Sequence, residues 1–324
     1  MLFAIQEGFR AVRRSWGLAL LLLVVNVCVA ALLALPLAAR LARDLENSQA
    51  AANMMYGFDY AWWSHWSERQ PGWAKAFAPD FFGAGFAFKN LDLLLRGQLP
   101  AGFFASPLGE AAGAGLDAVI LGLGLLYLVL QTFLVGGVLG VLRSPQGSWT
   151  VRGLLHGSGF YFGRFLRLAL LTLLAAWVVF QLNAPFARWA DRQAEEAVSG
   201  RTALYWTVGH NAALLLALLF LNMVSSYAKV VVVLEERSSA ILAFLSSLAF
   251  CLAQLRKTLG HYLALVGCGV VLVVAWNALD SRWDTVGYRT QLVTLLLAQA
   301  FVFGRIGLRL ALLGGQVALY RRAA

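Results

Sequence analysis

Charge is scarce in this chain. Charged residues make up 13% of 324 positions while hydrophobic residues make up 60%, against about 25% charge in an ordinary soluble domain. With a mean hydropathy of +0.71, that composition excludes a soluble globular protein and assigns an integral membrane protein. Lysine is scarcer still. Only Lys75, Lys89, Lys229 and Lys257 occur, so arginine carries most of the net charge of +10. The basic residues fall in short loops beside apolar runs instead of forming a phosphate-binding stripe, which excludes nucleic acid as a partner. Arginine in place of lysine, with abundant Ala, Leu and Gly, is the composition of a G+C-rich bacterial genome.

Cysteine and histidine are equally sparse. Cys28, Cys251 and Cys268 form no CxxC, so they supply neither a disulfide framework nor a metal site and read as small apolar filler. His65, His156, His210 and His261 lie far apart, without HExxH or a comparable zinc spacing. No phosphate-binding GxxxxGK[ST], GxGxxG after a strand, or GxSxG elbow occurs. Gly157-Ser158-Gly159 has no neighbouring base. These absences predict a non-enzymatic protein without metal or cofactor. For a membrane enzyme the first candidates would be Asp59, Asp80 and Asp92.

What the chain does have is six apolar runs, at 17–38, 118–141, 166–186, 208–234, 261–279 and 291–313. Each approaches or exceeds the roughly 20 residues that cross about 30 Å of hydrocarbon. The first is longer than the core of a signal peptide, and five more follow, so it reads as a retained helix. Arg10, Arg13 and Arg14 precede the first run, and Arg143, Arg152 and Arg164 separate the second from the third. Arg237, Arg256 and Lys257 separate the fourth from the fifth, and Arg321 and Arg322 follow the sixth. The opposite loops are charge-balanced. Positive charge therefore alternates with every crossing, which predicts both termini on the cytoplasmic side of a bacterial inner membrane. The expected fold is all-α: a polytopic membrane helix bundle, six transmembrane helices with short amphipathic interfacial helices, forming a single domain over 1–324.

The approaches to runs one, three and five resemble one another. Val12-Arg13-Arg14-Ser15-Trp16-Gly17 matches Leu255-Arg256-Lys257-Thr258-Leu259-Gly260, and Gly163-Arg164 repeats the glycine. The reading is three units, each an interfacial helix that turns at glycine into a helical hairpin. An alternative is that such approaches are merely common at membrane entries.

Residues 43–116 form an aromatic-rich outer loop, too long for a simple connection. Trp62, Trp63, Trp66 and Trp73 are expected to form a surface on the outer leaflet, either a lid for lipid or a cap over helix ends. Leu91–Gly97 and Phe103-Phe104 suggest further short interfacial helices.

Within the runs, Asn26, Gln131, Gln181, Asn211, Asn222, Asn277 and Gln299 either line a passage or bond across helix interfaces. Arg305 and Arg309 are the charged exceptions. If the sixth helix starts at Gln291, Arg305 lies about 21 Å down it, about 9 Å from the cytoplasmic edge, and Arg309 is nearer still. Their nearest acidic partners in the pattern are Glu235 and Glu236. The expectation is therefore an inner-leaflet charge cluster of Lys229, Glu235, Glu236, Arg305 and Arg309 that ties run four to run six or binds a headgroup anion.

"SYAKVVVVLEERSSAILAFLSSLAFCLAQLRKTLGHYLALV" resembles a stretch of uncharacterised bacterial six-helix membrane proteins through Tyr227, Ala228, Lys229, Glu236, Ser239 and Ala240. These are similar to the membrane domain associated with some glycerophosphodiester phosphodiesterases. The resemblance implies the fold and no activity. The resulting expectation is a non-catalytic membrane partner or scaffold that handles lipid. The alternative is a permease subunit or small transporter, and an intramembrane enzyme comes third. Membrane lipids, and another membrane protein or an ATPase, are the expected partners.

Overall fold

A computed structural model describes residues 2–46, 48–54, 58–70, 72–78, 91, 94–95, 118–143, 149–280 and 288–323. The described residues fold into helices, six of them long and apolar enough to cross a membrane. These are α2 (Trp16–Leu45), α5 (Ala118–Arg143), α6 (Val151–Glu195), α7 (Gly200–Leu234), α9 (Leu255–Asp280) and α10 (Tyr288–Ala323). The shorter helices are α1 (Leu2–Arg14), α3 (Gln49–Asn53), α4 (Tyr60–Arg69) and α8 (Ala240–Ala253), with a 3₁₀ turn at Gly72–Ala76.

All six helices outrun the apolar windows that predict them. α6 has 45 residues, about 68 Å at 1.5 Å per residue, roughly twice the hydrocarbon thickness. Helix propensity continues past the last apolar residue because nothing stops it. The starts of α6 and α7 are set by capping side chains. Thr150 Oγ1 accepts from Gly153 N at 3.1 Å and Ser199 Oγ from Thr202 N at 3.3 Å, each satisfying an N–H that the first turn leaves without an intrahelical acceptor.

α7 is the central element: 56% of its apolar window is buried, against 11–17% for the other five. Met223 through Ala228 and Val230 through Val233 are buried in an unbroken run on all sides of the helix, apart from half-buried Lys229. α5 and α6 approach closely because Gly137 lies on the backbone of Leu154, where a Cβ would collide. At the aqueous end of the α6–α7 hairpin, Phe186, Trp189, Trp206 and His210 form an aromatic stack.

Both termini lie at one end of the bundle, here called the terminal end, where Arg322 stands over the Phe3 ring at 5.1 Å. α1 was expected to lie on the membrane; it docks antiparallel along the last five turns of α10. Gly8 meets the Ala311 carbonyl, Ala11 meets Gly314, and Ala4 meets Gly315. Small side chains on both partners let the backbones touch, which is the usual basis of close packing between membrane helices.

None of the three glycines marks a turn: Gly17 lies inside α2 and Gly260 inside α9, although a helix break precedes each of these two. α1 and α2 break at Ser15, and α8 and α9 break at Gln254. In the sequence alignment Ser15 matches Thr258, so the two breaks differ by one helical turn. The matched hydroxyls do share a role: Ser15 Oγ donates to Ala11 O at 2.7 Å and Thr258 Oγ1 to Gln254 O at 3.2 Å. The expected turn at Gly163 is absent, because α6 runs straight through it. A glycine with open space beside its Cα costs a helix about 1 kcal/mol against alanine, too little to break one.

α8 crosses the face of α7. Its start lies beside Arg167–Leu174 of α6. Ser247 Oγ donates to Val224 O at 3.1 Å, and Phe250 near the end packs between Tyr227 and Tyr320, its ring tilted against both.

Candidate functional site

The charged residues separate into two levels along the bundle. At the terminal end, Glu236 ends α7 in the left-handed backbone region, with φ 53°. This turns the chain sharply towards α8 and leaves the carboxylate facing α5. Arg143 Nη1 donates to Glu236 Oε1 at 2.7 Å and to Val233 O at 3.2 Å. From α6, Arg164 Nη1 donates to Glu236 O at 3.0 Å. The Arg143 guanidinium holds the Glu236 carboxyl below the usual carboxylate range, by hydrogen bond first and charge second. Next to it Glu235 accepts from Arg237 and from the Tyr320 hydroxyl of α10, while Arg321 donates to the Arg143 carbonyl. α5, α6, α7 and α10 are thus tied at one end.

The second level lies deeper. Arg309 is twelve residues before Arg321 on α10, about 18 Å further along the axis. Gln131 is likewise twelve residues before Arg143 on α5, and there Arg309 Nη1 donates to Gln131 Oε1 at 2.8 Å. One turn away, Tyr127 donates its hydroxyl proton to Asn26 Oδ1 at 3.0 Å, and Asn26 Nδ2 donates to Leu22 O at 2.7 Å. These groups border a narrow lateral cleft of about 30 Å³ between α2, α5 and α10, walled by Leu22, Leu134, Ile306 and Leu310. That is room for one or two water molecules. Arg309 is exposed along the cleft. Lys229, half-buried on α7, has Arg309 as its charged neighbour. It has no hydrogen-bond or ion-pair partner among the described residues.

The expected charge cluster is therefore corrected. Glu235 and Glu236 bond to Arg237, Tyr320 and Arg143, and Arg309 bonds to a neutral amide. Tyr320, bonding Glu235, and the buried Ser226 Oγ, donating to Gln316 Oε1 at 2.7 Å, tie α7 to α10. Arg305 is exposed and lies over the Phe301 ring at 5.7 Å. The reason is register. α10 runs ten residues past the expected end at 313, so Arg309 sits well above the level of Glu235. Among the described residues no carboxylate bonds to it, and 118–190, 197–234 and 285–324 contain no Asp or Glu.

The tryptophans of the outer loop make specific contacts. Trp66 is 6% exposed and stacks on Trp62, with centroids 5.4 Å apart. Trp66 Nε1 donates to Asp44 Oδ2 and Trp63 Nε1 to Phe77 O, both at 2.7 Å. Trp62, Trp63 and Trp73 are half-buried. An indole whose N–H finds a protein acceptor has less reason to seek the lipid interface, and here the rings close over the end of α2. Asp59 caps α4 by accepting from Trp62 N at 3.0 Å. Asp80, Asp92, Phe103-Phe104 and most of Leu91–Gly97 lie outside the described residues. Among those described, no three His, Cys, Asp or Glu converge on a metal-sized site.

The sequence held the signals for part of this. Arg143 and Arg164 count as orientation markers by position, yet they also lie on the side of the bundle where run four ends at Glu235-Glu236. Gln131 and Asn26 stand out as polar residues, but nothing in their spacing joins them to Arg309. No family model, curated protein or solved structure matches the chain.

Proposed function

We propose that the chain is a non-catalytic protein of the bacterial inner membrane, its terminal end cytoplasmic, that serves as a membrane partner or scaffold and handles lipid. The observation that carries this reading is Arg309. An arginine at the centre of a membrane helix costs about 2.5–3.5 kcal/mol on the insertion scale. The Gln131 amide offsets part of that without neutralising the charge, and no carboxylate among the described residues pairs with it. The lateral cleft leaves the guanidinium open to the lipid that borders α2, α5 and α10, and the anion such a lipid supplies is its phosphate, drawn inward towards the arginine by local thinning of the bilayer.

The test is native mass spectrometry of the full chain released from its own membrane. Co-purifying anionic phospholipid enriched over the bulk membrane, and reduced in Arg309→Gln, is the expected result. A lipid profile equal to the bulk membrane, unchanged by the substitution, overturns the reading. A permease subunit is the second reading, favoured by Asn26 and Gln131 lining the same cleft. It requires solute flux in reconstituted vesicles, which Arg309→Gln abolishes.

A further inference from the structure

A second lateral feature lies on another face of the bundle. Where α8 starts against α6, a groove of about 590 Å³ is lined by Arg167, Leu170, Leu171, Leu174 and Ser238 through Ile241. A second hollow of about 360 Å³, lined by Leu170, Leu173, Leu174 and Trp177, continues it. The two share Leu170 and Leu174, so together they form one channel along α6. Its volume falls in the range of small-molecule sites, about 300–1,000 Å³.

The channel is polar at one end only. Arg167 is exposed and has no hydrogen-bond or ion-pair partner among the described residues. Ser238 is exposed beside it. Ser239 Oγ already accepts from Leu242 N, which leaves the N–H groups of Ala240 and Ile241, in the first turn of α8, without intrahelical acceptors. No acidic residue occupies that turn. The rest of the channel is leucine and tryptophan.

Depth matches this polarity. Arg167 is three residues past Arg164, which bonds the end of α7, so it lies about 4.5 Å inward from that level. Trp177 is ten residues further, about 15 Å, which is one leaflet's half of a roughly 30 Å core. Basic pockets between membrane helices on the cytoplasmic side are suited to anionic headgroups.

We infer that this channel seats one anionic phospholipid of the leaflet at the terminal end. Its phosphate lies between Arg167, Ser238 and the start of α8, and one acyl chain runs along Leu170, Leu174 and Trp177. The inference deepens the lipid-handling reading by adding a resident site, and it rests on residues other than Arg309.

The test reconstitutes the full chain in nanodiscs with a photoactivatable phosphatidylglycerol, or with the matching phosphatidylcholine, and maps labelled peptides by mass spectrometry. Phosphatidylglycerol should label 167–177 and 238–241 more than phosphatidylcholine does. Arg167→Gln should cut that labelling about fivefold, the effect of about one surface charge. Leu174→Trp, which keeps the charge and fills the channel, should also cut it. Equal labelling by the two lipids, or labelling unmoved by both substitutions, overturns the seat. Labelling confined to the cleft of Leu22, Gln131 and Arg309 overturns the seat and leaves the function proposed above intact. Labelling in neither place overturns both.

Discussion

At the scale of single residues, the informative groups are the ones whose partners are neutral. Arg309 holds its place through one amide, so Gln131→Leu leaves a charge without its bond. Such a loss costs about 1–3 kcal/mol and should lower the thermal midpoint of the protein in mild detergent. Arg309→Gln should behave differently, since it removes the charge itself: the midpoint holds or rises while lipid retention falls. Glu236 supplies a pH test with a definite sign. Its carboxyl is held below the usual carboxylate range by Arg143. The contact is therefore complete above the ordinary carboxylate pKa and is lost as pH falls through the depressed value. Wild-type protein should lose thermal stability on acidification more steeply than Glu236→Gln. Equal slopes would show that the Arg143 contact contributes nothing.

At the scale of elements, the continuous α6 and the docked α1 make opposite predictions for glycine substitutions. Gly163 sits inside α6 with open space beside it, so Gly163→Ala should be neutral or stabilise by up to about 1 kcal/mol. A hinge at this position would show the reverse. Gly8 has no such room, because a Cβ there meets the Ala311 carbonyl. Gly8→Val should displace α1 from α10, which limited proteolysis near Arg13-Arg14 would report. The six spans and their alternation were legible beforehand because each helix carries its own apolar window. The seams between helices were not. Gly8 and Gly314 are far apart in the chain, and nothing local in either stretch says that they meet. The expected charge cluster failed for a related reason. An apolar window sets where a span exists but not where its helix stops, and an error of ten residues at the end of α10 moves Arg309 about 15 Å relative to Glu235. The number of tryptophans was visible beforehand, whereas the acceptors for their N–H groups, Asp44 and the Phe77 carbonyl, appear only when the chain folds back on α2.

At the scale of the whole molecule, six crossings place Phe3 and Arg322 at the same end, as an even number demands. The positive-inside pattern is the basis for proposing that this end is cytoplasmic. Impermeant reagents applied to intact cells should therefore miss tags at both tails and reach a cysteine placed in the 196–199 turn between α6 and α7. Reaching either tail refutes the orientation.

The pairing of α1 with α10 also bears on biogenesis. The segment synthesised ahead of every other described helix finds its binding surface on the helix synthesised after them all. Until α10 enters the bilayer, the glycine face of α1 has no mate, so ribosome-bound intermediates of every length short of it should expose α1 to protease. Closure of that contact therefore waits for the last of the described helices.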